Sequence, residues 1–193
     1  MKLQEYLKKF SRLAVALSGD MNSALLLREA AAALGPERVL AITAKTELIA
    51  ETQLEMIRKI AQFADVSHVV VPVSLLEDDM VRQNGPLRCY YCKRHIFRAI
   101  RQEAWLRGYP TVAEGSYMAN HEDSNGLILE LFADLQIISP FIACQMDLRD
   151  ICSLRLDESL DAKSSSHSCL AREIPCGTPI TEEALEQLEY KKG

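Results

Sequence analysis

Two groups of residues in this chain could do chemistry. The first is the run Ser18-Gly19-Asp20-Met21-Asn22-Ser23, which follows the apolar stretch Leu13 to Leu17 and opens a helix-like segment, Ala24 to Ala33. A strand, a tight turn of small residues and a helix N-terminus, in that order, form an anion site. Backbone N–H groups converge there and the helix dipole favours negative charge. The order points to an α/β nucleotide-binding domain. The loop lacks the Gly-Lys-Ser/Thr of a Walker A sequence and the three-glycine spacing of a dinucleotide fingerprint. Its simplest reading is a helix capped by Ser18 or Asp20.

The second group is the six cysteines. Cys89-x-x-Cys92 has metal or redox spacing, but zinc needs four ligands. The two missing ones would come from Cys144, Cys152, Cys169, Cys176 or His95, and no second Cys-x-x-Cys completes a set. Cys144 and Cys152 serve equally well as small core hydrophobes. The expectation is no resident metal, with Cys89, Cys92 and Cys176 as weak candidates. His121-Glu122-Asp123 could touch a metal or a ribose, though a polar loop tip is the simpler reading.

These groups need elements to hold them. Residues 4–11 read as a short opening helix, Leu13 to Leu17 as a buried strand, and Ser23 to Leu34 as a helix stopped by Gly35-Pro36. Arg38 to Ala44 is a second strand and Glu47 to Ala64 an amphipathic helix. His68 to Val73 is a β-branched run expected to be buried on both faces. Leu75 to Leu87 reads as a polar connection, Cys89 to Arg107 as a helix ending at Gly108, and Tyr90, Phe97 and Trp105 as its core stripe. Thr111 to Gly115 and Gln136 to Phe141 follow as strands, with Met146 to Leu156 as a helix. Thr181 to Lys191 is a closing helix with Glu182, Glu183, Glu186 and Glu189 on a solvated face. Strands alternating with helices predict a three-layer α/β/α sandwich with a mainly parallel, Rossmann-like sheet. Ligands then sit beyond the C-terminal strand ends, where Ser18 to Ser23, Thr43 to Glu47 and Gly115 to Asp123 gather.

The chain of 193 residues is long enough for a full core, and its 48% hydrophobic and 25% charged residues are ordinary for a soluble protein. A net charge of -5 argues against nucleic acid as a partner. There is no signal-peptide core and no apolar run of membrane-span length, so no membrane association and a cytoplasmic location are expected. In that setting thiols are free, catalytic or metal-bound.

The Ser-Gly-x-x-x-Ser loop resembles the pyrophosphate loop, or PP-loop, of the N-type ATP pyrophosphatases. Arg88-Cys89-Tyr90-Tyr91-Cys92-Lys93 after Asn84-Gly85-Pro86 resembles a signature of the LarE-type ATP-dependent sacrificial sulfur transferases. So does Lys163 followed by Cys169-Leu170-Ala171 and by Ile174-Pro175-Cys176-Gly177-Thr178-Pro179-Ile180-Thr181. Glu114-Gly115-Ser116 stands where that family has Gly-Thr-Asn, and Ser139-Pro140 is in place. The resemblance implies an adenine nucleotide alpha hydrolase-like domain over residues 1–156, then a segment, 157–193, carrying the donor cysteine. It implies adenylation of a carboxylate on a pyridinium mononucleotide by ATP and Mg2+, attack by a cysteine thiolate, and transfer of its sulfur to leave dehydroalanine. Cys169 would be the donor and Lys163 would neutralise charge beside it. Ser18, Gly19, Asp20, Asn22, Ser23, Thr43, Gly115 and Ser116 would line the nucleotide site. Some relatives carry an iron–sulfur cluster on three cysteines.

The chain departs from that pattern at chemically pointed positions. Asp20 replaces the second loop glycine and sets a carboxylate where a phosphate should lie. Asn22 replaces the loop aspartate, a poor exchange for a magnesium ligand. Arg172-Glu173 replaces Ser-Arg after the donor cysteine, Gly126-Leu127-Ile128 stands where Arg-Pro-Gly is expected, and Gln145 replaces a usual lysine. The family continues past the position of Gly193 into a smaller domain. The leading expectation is a sulfur transferase with altered ATP chemistry. The alternatives are a silent paralogue acting as a binding or regulatory subunit, with a protein partner or as a homo-oligomer, and an iron–sulfur or zinc protein.

Overall fold

The computed structural model describes residues 2–117, 125–154 and 169–190. Five strands form one parallel sheet in the order β3-β2-β1-β4-β5. They are β1 (Leu13–Ala16), β2 (Val39–Lys45), β3 (Ser67–Pro72), β4 (Thr111–Ala113) and β5 (Ile137–Ile138). β1 is central and buried along its whole length, which is why it reads as an uninterrupted apolar run.

Side chains alternate across the sheet with period two and so feed two cores. Leu13 and Val15 of β1 pack with α1 (Leu3–Leu7), α2 (Met21–Leu34), α3 (Glu51–Phe63), and with Phe141 and Ile151 of the short helices α7 (Pro140–Ala143) and α8 (Leu148–Ser153). Ala14 and Ala16 face the other way, against Phe97, Ile100 and Ala104 of α5 (Arg88–Leu106) and Ile128 and Phe132 of α6 (Asn125–Asp134). The small alanines of β1 face the layer in which two aromatic rings, Phe97 and Phe132, meet edge to face at 4.7 Å. The three-layer α/β/α architecture is therefore as the periodicity predicts.

Several local expectations change. β3 is an edge strand with half-buried residues, because a single strand, β2, pairs with it. The connection from Leu75 to Leu87 contains α4 (Asp79–Arg82) and buries Leu75 and Val81 completely. Trp105 is 65% exposed and stands outside the core although the preceding Ala104 is buried, because it lies off the face that α5 turns to the sheet. Phe97 does belong to the core, and Tyr90 is half-buried. α6 was not expected, and α8 is shorter than the predicted helix because the capping box of Asp147 and Asp150 starts it at Leu148. Helix α3 begins at Glu51, leaving Leu48 and Ala50 in a turn.

That turn supports a third, smaller core. Leu48, Ala50, Leu75 and Val81 close over Leu170, Ala171, Ile180 and Leu185 of the C-terminal segment, which includes α9 (Glu182–Tyr190). The glutamates of α9 are exposed, as expected of a solvated face, and Glu189 accepts from the Glu51 N–H at 2.8 Å. The fastening is polar. Asn84 is 1% exposed and held at φ +55°, a left-handed conformation that asparagine tolerates. Its Nδ2 donates toward the carbonyls of Pro175 (2.9 Å), Thr178 (3.0 Å) and Ile174 (3.3 Å). Its own carbonyl accepts from Gly177 N–H at 2.8 Å, and Ile180 N–H donates to Arg82 at 2.8 Å. Asn84→Ala should cost roughly 2–4 kcal/mol, the worth of several buried hydrogen bonds. Denaturant unfolding would read that loss, and alkylation of Cys169 should speed up as the segment loosens.

Candidate functional site

The winding reverses at β1: the chain runs from β1 through β2 to β3 on one side, then crosses to β4 and β5 on the other. A crevice opens at such a reversal, outside the carboxyl ends of the strands. Here it is a cleft of about 360 Å3. Its β1 wall carries Ser18, Asp20, Asn22 and Ser23, its β2 wall Thr43, and its β4 wall Glu114, Gly115 and Ser116. Helix α5 supplies Arg88, Cys89, Cys92 and Lys93, and the C-terminal segment supplies Cys169. Segments distant in sequence thus converge on one cavity.

The loop after β1 is closed on itself. Asp20 is the N-cap of α2: its Oδ1 accepts from the Ser23 N–H at 2.8 Å and its Oδ2 from the Ser18 hydroxyl at 2.8 Å. The Ser23 hydroxyl accepts from Ser18 N–H at 3.3 Å and donates to the Asp20 carbonyl at 3.1 Å. Gln53 donates to the Ser18 carbonyl at 3.0 Å, pinning the loop to α3. Gly19 is not a lining residue but a steric necessity. It has φ +87°, and a Cβ there would meet Ile57 Cγ1 at 2.6 Å. Gly115 presses against the α2 N-terminus, where a Cβ would sit 3.0 Å from Ser23 N. Thr43 is buried, donates to the Leu17 carbonyl at 2.7 Å and accepts from His68 Nε2 at 2.8 Å, so its hydroxyl positions the loop. Burial holds His68 below the usual histidine value, with Arg58 adding to the shift.

Mg2+-ATP, which the PP-loop resemblance implies, fits these residues poorly. The Ser23 N–H and the Ser18 hydroxyl, two donors a phosphate would use, already serve the Asp20 carboxylate. Asn22 brings an amide where the metal would want a carboxylate.

The opposite wall differs in charge. Arg88 donates through Nη1 to Asn84 Oδ1 at 2.6 Å and to the Ala171 carbonyl at 2.8 Å, and its Nη2 lies 3.5 Å from Cys89 Sγ. Leu170 N–H donates to the Leu48 carbonyl at 2.9 Å. These bonds flank Cys169 and set it at the cleft rim, half-buried. Cys92 is its neighbour. Burial pushes the Cys92 thiol up to about 12, and the nearby Cys169 and Cys89 push in the same direction. Cys92 is thus a neutral thiol at physiological pH. Glu114 is 6% exposed; burial raises its carboxyl above the usual range, opposed by hydrogen bonds from Ser116 and Ser139 and by the charge of Lys93.

Cys176 is exposed and lies off the cleft lining, Cys152 is exposed, and Cys144 packs on the opposite face of the sheet. Among the described residues no three His, Cys, Asp or Glu side chains assemble to hold a metal. Lys163 and His121-Glu122-Asp123 lie outside the described residues. Sequence reasoning passed over Glu114, Lys93, Arg88, Gln53 and Asn84 as site residues. The position of Glu114 at the end of a core strand was a signal available for one of them.

No protein-family model matches the chain. It is 25% identical over 183 residues to the pyridinium-3,5-bisthiocarboxylic acid mononucleotide synthase of Lactiplantibacillus plantarum, LarE, a match covering 94% of this chain and 66% of that protein. The chain is thus distantly similar to LarE. It is also 26% identical to an uncharacterized protein of Synechocystis, over 96% of this chain and 69% of that one. A third match, to an uncharacterized protein of Methanocaldococcus jannaschii, is 26% identical over 98% of this chain and 72% of the other. The chain therefore spans about two thirds of the length of these proteins. Among the described residues no helix is long and apolar enough to cross a membrane.

Two titrations test the site. A thiol raised from 9.0 to about 12 keeps its proton, so iodoacetamide near pH 9 should label the exposed Cys89, Cys152 and Cys176 and spare Cys92 until the protein is denatured. Glu114 has a raised folded value, so its contribution to stability is full below the ordinary 4.5 and is lost as pH rises. Glu114→Gln, which does not titrate, should therefore gain in stability relative to the parent as pH climbs from 4.5 to neutrality, read by unfolding midpoints.

Proposed function

We propose that the cleft is a LarE-like sulfur-transfer site in which Cys169 gives up its sulfur to an activated carboxyl group. The observation that carries this reading is the seating of Cys169. Leu170 on Leu48, Arg88 on Ala171 and Asn84 on the following turn bring a residue near the end of the chain to the strand-end crevice. Likeness to a protein whose name describes the making of a thiocarboxylic acid mononucleotide supports the same chemistry.

In that chemistry the Cys169 thiolate attacks the acyl carbon and expels the leaving group with its electron pair, forming a thioester. The Cα proton of residue 169 is then lost and the Cβ–S bond breaks. The sulfur departs as the thiocarboxylate and dehydroalanine stays on the chain. No external oxidant or reductant enters. Arg88 and Lys93 favour an anionic substrate group on this wall, and the neutral Cys92 keeps a second thiolate from competing beside the donor. A pyridinium mononucleotide is the substrate class proposed, and Lys163 is proposed to neutralise charge at the thiolate. The closed loop at Asp20 favours a second reading, a paralogue without ATP chemistry that binds and regulates.

Intact mass of the protein isolated from its own cells decides between them. Sulfur transfer predicts a species lighter by one molecule of hydrogen sulfide, with the loss mapped to residue 169 and absent from Cys169→Ala. A full-mass chain under conditions where the cell is making the thiolated product would assign the protein to the binding class.

A further inference from the structure

We infer that Asp20 is the specificity-determining residue of the cleft: its carboxylate occupies the phosphate position of the loop, so the cleft takes an already activated acyl substrate and no nucleoside triphosphate. The substrate half of this inference rests on the sulfur-transfer reading. The loop half rests on geometry alone.

Three observations converge. The Asp20 carboxylate receives the Ser23 N–H at 2.8 Å and the Ser18 hydroxyl at 2.8 Å, so the loop holds an anion of its own in the mouth of a 14-residue helix. This internal anion is tethered, and a tethered group competes at an effective concentration that a free ligand must exceed. Second, the loop is pinned in this closed form from both sides. Gln53 fixes the Ser18 carbonyl at 3.0 Å, and Gly115 lies so close that even a Cβ would meet Ser23 N at 3.0 Å. Third, the cleft's cations, Arg88 and Lys93, stand on α5, on the wall that carries Cys92 and adjoins Cys169. Anion recognition has moved from the helix N-terminus to the wall where the sulfur is.

A substrate that fits this arrangement bears one anionic group toward α5 and presents its acyl carbon to Cys169. It must arrive as a mixed anhydride of the acyl-adenylate class. When the thiolate adds, the acyl–oxygen bond breaks and the phosphate monoester leaves with the electron pair. An ATP-consuming acyl-activating reaction on another protein must supply such a substrate.

Calorimetry with Mg-ATP and with AMP, on the parent, Asp20→Gly and Asp20→Asn, tests this. Asp20→Gly empties the phosphate position and should tighten Mg-ATP by at least about tenfold. Asp20→Asn keeps an amide oxygen to accept the Ser23 N–H, so it should stay as blind to Mg-ATP as the parent. AMP should bind all three alike. Mg-ATP binding by the parent within about twofold of Asp20→Gly would overturn the inference, as would an equal gain in Asp20→Asn, which would make repulsion and not occupancy the cause. AMP binding by none of the three would overturn the substrate half. Failure of sulfur transfer itself is read separately, as retention of the Cys169 sulfur.

Discussion

The cleft exists because β1 has a parallel neighbour on each side and the winding reverses there: the chain runs from β1 through β2 to β3, then crosses back to β4 and β5 on the other side. Parallel strands need crossovers, crossovers have one hand, and a reversal of winding leaves the strand ends of β1 and β4 uncovered by helix. Everything chemical in the molecule is arranged around that gap. Leu13 and Val15 fix one layer of helices and Ala14 and Ala16 the other, so the position of α5, with its arginine, cysteines and lysine, follows from the pleat of a single strand.

The two walls of the cleft have been put to opposite uses. On the β1 side the polar groups satisfy one another: Ser18, Asp20, Ser23, Gln53 and Thr43 form a closed set of hydrogen bonds with the backbone. On the α5 side, Arg88 holds the C-terminal segment while Lys93 and the thiols face the cavity. A closed polar network is rigid and offers little to a ligand, because each new bond must replace one already made. A wall with cations and thiols offers both charge and a nucleophile.

Much of the fold was legible because its signals are local. β1 and β2 are apolar runs of strand length, Gly35-Pro36 stops α2, and Gly108 at φ +76° ends α5, each by a mechanism carried in a few adjacent residues. Trp105 and β3 misled for one shared reason. Local pattern reports which side chains could be buried, but whether anything covers them depends on what packs there: β3 has a strand on one side, and Trp105 lies off the face that α5 turns to the sheet. The α4 turn was hidden because Leu75 and Val81 are buried by residues from the other end of the chain.

By itself the sequence determined the alternation of strand and helix and the loop that follows β1. These depend on neighbours along the chain, on residue size, and on glycine and proline. Only the tertiary structure decided what the loop's acidic residue does and which cysteines meet the cleft. Asp20 could have faced solvent or capped its helix, and its hydrogen bonds to Ser18 and Ser23 settle that. Cys169 lies 85 positions beyond Asn84 in the chain, and no local rule joins them. The buried Asn84 amide requires acceptors, and the folded chain supplies them as the carbonyls of Ile174, Pro175 and Thr178.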